Sequence, residues 1–354
     1  MSTLIVPLVA IKEIKPHVNA DRLALALIEG WQVVVGKDSG LQPGDLGVYV
    51  PPQTQVPEQW SGPEQWDVQK YLEKGVRTKA VKLRGEASHG FFVPLKGDTA
   101  RVIEEANAQP GDNVAELFGL TKYQPVERIF VGDQRQEDPL FSRYTDIENL
   151  RHEPDGLNEG ELVWVTEKIH GTNSRIGIVQ GEPMAGSHKV QRKRPGEAEG
   201  EVVSQINPGS TVYWFPWTIP GVEKLLTELS ATYSQVILFG EIFGPRIQKL
   251  GYGVEGDQLQ YQAFDLMLDG KYVSYRSFFE FCEMYGVPRV PLLYEGPYSF
   301  ETVKELANGK TTLDATHIRE GVVVRPYIER TSPKHGRVIW KYVSDDYLTG
   351  NFED

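Results

Sequence analysis

Short apolar runs punctuate the first part of the chain: LIVPLVAIKEI (4–14), ALALIEG (24–30), WQVVVGK (31–37), LGVYVPP (46–52), KAVKLRG (79–85) and HGFFVPL (89–95). Runs of this length, bounded by turn residues, read as β-strands. Lys37-Asp38-Ser39-Gly40 and Pro43-Gly44-Asp45 supply the turns, glycine by tolerating positive φ and proline by fixing φ in advance. Helical periodicity is almost absent here. The later part differs, because strand-like runs alternate irregularly with helical ones. LVWVT (162–166), SRIGIV (174–179), QVILFGEIFG (235–244), QYQAFDLML (260–268), GVVVRP (321–326) and RVIWKYV (337–343) are the strands. GVEKLLTELSATY (221–233) sets Val222, Leu225, Leu226 and Leu229 on one helical face. SFFEFCEMYG (277–286) ends in a capping Gly286, and SFETVKELANG (299–309) has Ser299 as N-cap and Gly309 past its end.

The first pattern predicts a small barrel of about five strands, of which the OB-fold is the common type. DTARVIEEANAQPGDNVAELFGL (98–120) predicts a short helical extension, and the polar stretch GDQRQEDP (132–139) is the candidate linker. The second pattern lacks a regular β-α-β rhythm and predicts an α+β domain with mostly antiparallel sheet. The expected organisation is therefore an OB-type domain over 1–130, a linker over 131–139 and an α+β domain over 140–354.

Composition narrows the function classes. The 354 residues carry a net charge of −12, which argues against attraction of nucleic acid to the whole surface. Two basic stretches stand against that background: Lys74, Arg77, Lys79, Lys82 and Arg84 without an intervening acid, and KVQRKR (189–194). Each fits either a polyanion track or a solvated strand face. No apolar run is long enough to span a bilayer, and the N-terminal apolar stretch lacks a basic flank, so no membrane association is expected. The single cysteine, Cys282, excludes an intramolecular disulfide and fits a cytoplasmic setting.

Polar residues interrupt the second domain's apolar strands at Lys168, Glu241, Asp265, Glu320 and Lys341. Buried charges are costly unless paired or used. If the strands share a sheet, these groups can meet on one face, where lysines suit phosphate and carboxylates suit a hydrated Mg²⁺. Singly, every one of these signals is common, and a Lys-x-x-Gly bend or a Phe264 in a strand has an ordinary structural reading.

Their order resembles a known set. EKIHGTN (167–173), then Phe239-Gly240-Glu241, Phe264-Asp265, Glu320-Gly321-Val322-Val323 and Lys341 resemble the five blocks of the covalent nucleotidyltransferases, the superfamily of polynucleotide ligases and mRNA capping enzymes. EKIHGTN and GEIFGPRIQKLGYG are most similar to ATP-dependent RNA ligases of the RNA ligase 2 type. An OB domain placed first resembles the type-5 group, which seals nicks with a 3′-OH RNA strand. HVNADRLALALIEG (17–30) also resembles tRNA-binding OB modules.

The resemblance implies ATP and Mg²⁺, with Mn²⁺ able to substitute, and a lysyl–AMP intermediate on Lys168. It implies an RNA or RNA-containing duplex with 3′-OH and 5′-phosphate ends as partner. Lys168, His170 and Lys341 are the implied catalytic residues. Glu167, Ile169, Asn173, Ser187, Glu241, Phe264, Glu320 and Lys341 are implied in nucleotide binding, with Glu241 and Glu320 also in metal binding. Cations or metal near Lys168 are expected to lower its pKa, because only the neutral amine attacks. Two departures stand out: Val343 replaces a usual second lysine, leaving Lys341 or Arg337 for phosphate, and Ser187-His188-Lys189 with Arg192 replaces a usual Ser-Arg pair. An RNA-binding protein with an inactive nucleotidyltransferase domain, or an mRNA guanylyltransferase, remains the alternative.

Overall fold

The computed structural model describes residues 4–57, 68, 71–73, 76–123, 131–197, 210–245, 247–313 and 316–350. The chain forms two compact units. One comprises Met1–Val126, Ile147–Gly156 and Tyr342–Phe352; the other comprises Glu127–Asp146, Leu157–Lys341 and Glu353–Asp354.

The first unit is built from short strands, as its sequence pattern predicts. Leu8–Ala10, Leu46–Val50 and Phe91–Pro94 form one sheet, with Leu46–Val50 in the middle. Glu13–Pro16, Leu23–Ile28 and Trp31–Gly36 form a second, and Ala80–Leu83 pairs with Glu86–His89 in a hairpin. Among the described residues no single sheet closes into a barrel; side chains join the sheets instead. Val9, Ile11, Ala26, Ile28, Trp31, Tyr49 and Phe92 share one core, and the Val34 N–H donates to Ser88 Oγ at 3.0 Å. The expected extension contains the helix Gly97–Glu105, which buries Thr99 and Ile103.

Two distant segments complete this unit. Buried Arg151 donates to Asp345 and, at 3.2 Å, to the Val343 carbonyl, while its guanidinium lies 4.0 Å from the Tyr342 ring centroid. His89 Nε2 stands 3.0 Å from Asp345 Oδ1. The HVNADRL stretch has a local structural task. His17 Nε2 lies 2.9 Å from the Leu83 carbonyl, His17 Nδ1 accepts the Asn19 N–H at 3.1 Å, and Asn19 Nδ2 donates to the Arg84 carbonyl at 3.1 Å. These bonds clamp the turn of the basic hairpin.

In the second unit, six strands order as Gln191–Arg192, Glu182–Ser187, Thr172–Val179, Gln235–Phe243, Gln260–Leu268 and Lys271–Tyr272. A second sheet places Leu162–Lys168 between Leu292–Pro297 and Gly321–Pro326. The ladders within these sheets that have a defined register are antiparallel, which realises the expected α+β arrangement. Helices Pro220–Ser230 and Tyr275–Tyr285 cover the six-stranded sheet through Val222, Leu225, Leu226, Phe278 and Cys282. Caps settle the helix ends. Ser274 accepts the Ser277 N–H, Gly286 takes φ 68°, and Ser299 accepts the Thr302 N–H at the start of Phe300–Ala307. The Tyr275–Tyr285 helix starts two residues before the run that predicts it, because Ser274 is its cap. The Ser210–Trp214 helix had no expectation attached to it; its five residues are too few to show a helical period.

Candidate active site

EKIHGTN is not a hairpin turn. Leu162–Lys168 belongs to one sheet and Thr172–Val179 to the other, so the bend carries the chain between sheets. Gly171 makes the crossing possible by close approach: a Cβ there would lie 2.3 Å from the Ile242 carbonyl oxygen and 2.9 Å from Glu241 Cγ. The two registers then gather chemistry from both sheets. Lys168 pairs with Gly321, next to Glu320, while Asn173 pairs with Glu241. Cross-strand partners share a face.

Lys168 Nζ lies 2.7 Å from Glu320 Oε1. Burial alone would lower the amine's pKa, but the Glu320 and Glu241 charges outweigh it and raise it. The expected depression is therefore not found, because the groups facing Lys168 are carboxyl groups rather than cations, with Glu320 in direct contact. Burial would raise the Glu320 pKa, yet Lys168 and His170 bring it below the usual carboxylate value. Glu241 goes the other way: burial and the Glu320 charge outweigh Lys168 and push it up to about 8. One ammonium cannot satisfy two carboxylates, and Glu241 carries the deficit.

Two oxygens at this junction are left over. Glu320 Oε2 and Asn173 Oδ1 are buried without a hydrogen-bond donor, although His170 Nδ1 comes within 3.4 Å of the former. Two carboxylates and an amide oxygen are hard donors suited to Mg²⁺ or Mn²⁺, with waters and phosphate completing the shell. Among the described residues no cluster of three or more His, Cys, Asp or Glu could hold a metal by itself. The donor set thus fits a cation that arrives with its own ligands.

The sequence model of the RNA ligase family matches residues 161–343, just over half of the chain. This chain belongs to the RNA ligase family. An OB-fold domain model matches residues 5–95, in keeping with the expected N-terminal domain. No curated protein sequence matches the ligase significantly. Its fold is shared with solved structures of Naegleria gruberi RNA ligase. A Lys→Ala variant with ATP and Mn is 22% identical, covers 98% of this chain and 99% of that one, and superposes with a TM-score of 0.75. A Glu→Ala variant with AMP and Mn is 22% identical over 98% of each chain, with a TM-score of 0.76. The enzyme with PPi is also 22% identical over 98% of each chain, with a TM-score of 0.73.

The ligase places the other expected residues at varied distances from this centre. Glu167 is buried, its carboxylate accepting from Thr311 Oγ1, from the Thr312 N–H at 2.9 Å and from Thr312 Oγ1 at 2.7 Å. Ile169, two residues further on, is buried as well. Phe264 is the extra residue of a β-bulge: Phe239 pairs with Asp265, but the next residue, Gly240, pairs with Ala263. A bulge re-aims a side chain, and the half-buried Phe264 ring meets Tyr144 edge-on at 4.8 Å. Ser187 closes a turn, its hydroxyl accepting the Val190 N–H at 3.0 Å. Lys341 is half-buried on Trp340–Val343, and Val343 two residues on is buried.

Three expectations of convergence are corrected. Asp265 does not join Lys168; it is fully buried between Arg325 (2.9 Å), Arg337 (2.6 Å) and the Tyr144 hydroxyl (2.8 Å). Arg337 is committed to Asp265 and Glu329 and is not a free phosphate ligand. Arg192 is likewise locked to Asp133 at 2.6 Å. Of the N-terminal basic run, Lys82 pairs with Asp346 at 2.7 Å, Arg77 covers the Tyr123 ring, and Arg84 is exposed; Lys74 lies outside the described residues.

Sequence reasoning missed Tyr252, Thr311 and Thr312. Tyr252 sits in GYG within the quoted GEIFGPRIQKLGYG, and the threonines sit in a plain KTTLD loop. Neither interrupts an apolar strand, so nothing in the pattern marked them. No helix among the described residues is long and apolar enough to cross a membrane.

Proposed function

We propose that this RNA ligase joins RNA 3′-OH and 5′-phosphate ends at the expense of ATP, with Lys168 as nucleophile. The observation that carries the reading is the Lys168 ammonium held 2.7 Å from Glu320 and facing Glu241, beside two buried oxygens with no donor. The structures of Naegleria gruberi RNA ligase with ATP or AMP and Mn support the same nucleotide and metal class.

The ionised Glu320 carboxylate keeps Lys168 protonated and orients its amine. Glu241, Glu320 and the Asn173 oxygen are the groups that would hold a divalent cation; when bound it supplies positive charge to the phosphates and draws the carboxylates' charge away from the lysine. Lys168 gives its proton to solvent and its Nζ attacks the ATP α-phosphorus. A P–N bond forms, the P–O bond to pyrophosphate breaks, and AMP is left on the lysine. An oxygen of the RNA 5′-phosphate next attacks that phosphorus, the P–N bond breaks, and Lys168 regains a proton. Finally the 3′-OH attacks the activated 5′-phosphorus, loses its proton and expels AMP. In-line displacements of this kind are accelerated chiefly by positioning and charge neutralisation.

Phe264 is assigned to the adenine face, Ile169 and Glu167 to the base edge, and Ser187 and Asn173 to the sugar. His170 and Lys341 are assigned to the phosphates. The N-terminal domain is assigned to the RNA-containing duplex near a nick, with exposed Arg84 on its clamped hairpin as a phosphate ligand. A reducing, cytoplasmic setting completes the proposal and agrees with the free, buried Cys282.

Incubation with Mg²⁺ and α-labelled ATP or GTP tests the core of this reading. Label from ATP is expected to stay on the denatured protein and to vanish in Lys168→Ala. Label from GTP alone would make the protein a guanylyltransferase, and no label from either would leave an RNA-binding protein.

A further inference from the structure

Tyr252 lies in a segment of turns between the strands Gln235–Phe243 and Gln260–Leu268. Its φ is +52°, a left-handed conformation that penalises any residue bearing a Cβ. Gly251 and Gly253 flank it, so the chain has glycines at hand yet puts a bulky phenol at the strained position. Strain of this kind persists where the side chain's contacts over-determine it.

Those contacts lead to the catalytic bend. The Tyr252 hydroxyl accepts the His170 N–H at 2.6 Å. The ring packs edge-on against Phe243 at 5.0 Å and against His317 at 4.8 Å. The Tyr252 N–H donates to His317 Nε2 at 3.2 Å, and His317 Nδ1 lies 2.9 Å from the Ile318 carbonyl oxygen, which fixes the tautomer with the proton on Nδ1. The phenol is 5% exposed. Burial, and then the Glu320, Glu167 and Glu241 charges, raise its pKa, so it stays protonated. His170 in turn stands 3.4 Å from the Glu320 oxygen that has no donor, and Lys168 lies two residues upstream.

We propose that Tyr252 is a positioning residue of the ligase reaction, its hydroxyl fixing the His170 backbone and thereby the placement of His170 and Lys168 against Glu320. The inference rests on Lys168 being the nucleophile. His317 serves as the strut that holds the phenol in place.

Tyr252→Phe isolates the hydroxyl, because the ring keeps its packing on Phe243 and His317. At saturating ATP and Mg²⁺ the rate of Lys168 labelling is expected to fall about tenfold, the size of one lost buried hydrogen bond. The ATP concentration giving half that rate is expected to change less than twofold, and the melting temperature to fall by only a few degrees, so that the enzyme stays folded at the assay temperature. Labelling at the wild-type rate would overturn the proposal. A loss of rate that comes with unfolding at the assay temperature, or with an equal loss of ATP affinity, would also overturn it, leaving Tyr252 as packing. Label retained by Lys168→Ala would instead remove the nucleophile assignment on which both readings stand.

Discussion

Two clusters of buried charge lie in the same unit and behave oppositely. Around Asp265, one carboxylate receives Arg325, Arg337 and the Tyr144 hydroxyl, and Glu329 takes the remaining edge of Arg337. Burial would raise the Asp265 pKa, but the two arginines bring it below its ordinary value. Around Lys168, two carboxylates share one ammonium, Glu241 is pushed up to about 8, and a Glu320 oxygen has no donor. The first cluster has more donors than its central acid needs, and both Asp265 and Arg337 are paired, with Arg325 Nε left over. The second has more acceptors than its cation can serve and is open. A buried charge by itself therefore says little about function; the surplus of one sign says more, because it names the sign of what must still bind.

The comparison can be broken in three places. Asp265→Asn should cost about 3–5 kcal/mol in denaturant unfolding, because it leaves the buried Arg325 without a carboxylate partner, Glu329 still holding Arg337. A loss below about 1 kcal/mol would show that the Asp265 cluster is not what holds these strands together. The next effect is on the pH dependence of stability without metal. Between about 4.5 and about 8, Glu241 is protonated in the folded chain and ionised in the unfolded one. The folded state then binds the extra proton, so stability is greatest below this window and falls as pH rises through it. Glu241→Gln should flatten that slope, and Mg²⁺ binding to the native ligase near pH 7 should release protons, measurable by calorimetry in buffers of different ionisation enthalpy. An unchanged slope would show that Glu241 is not in deficit. Smallest is Glu329→Gln, expected to cost about 1 kcal/mol or less, because Asp265 still holds Arg337.

Much of this was legible before any coordinates. The short strands of the first unit, the apolar face of Pro220–Ser230 and the Ser299 cap follow from period and turn chemistry, which act over a few residues. Lys168, Glu241 and Glu320 were visible as polar breaks in apolar strands, and the structure brings these three together. Asp265 looked the same in sequence and turned out to belong elsewhere. Whether a charge in a strand faces a site or a salt bridge depends on register, and register is not printed in any one strand. The β-bulge at Phe264 is of the same kind, since it exists only relative to Phe239 and Gly240 on the neighbouring strand. Tyr252, Thr311 and Thr312 left no trace because their work is done through hydrogen bonds to residues 82, 144 and 145 positions away.

What the sequence determined alone was the inventory: which strands and helices form, which residues carry charge into apolar surroundings, and the order of motifs that marks an RNA ligase. Local sterics and hydrophobic period suffice for the first two, since both act between near neighbours. Tertiary structure decided the pairing. It sent the EKIHGTN bend from one sheet to another through Gly171, gave Asp265 to two arginines, and left Glu241 and Glu320 competing for Lys168. Electrostatic surplus is a property of distances between strands, so only the folded chain could show which acids were satisfied and which were waiting for a cation.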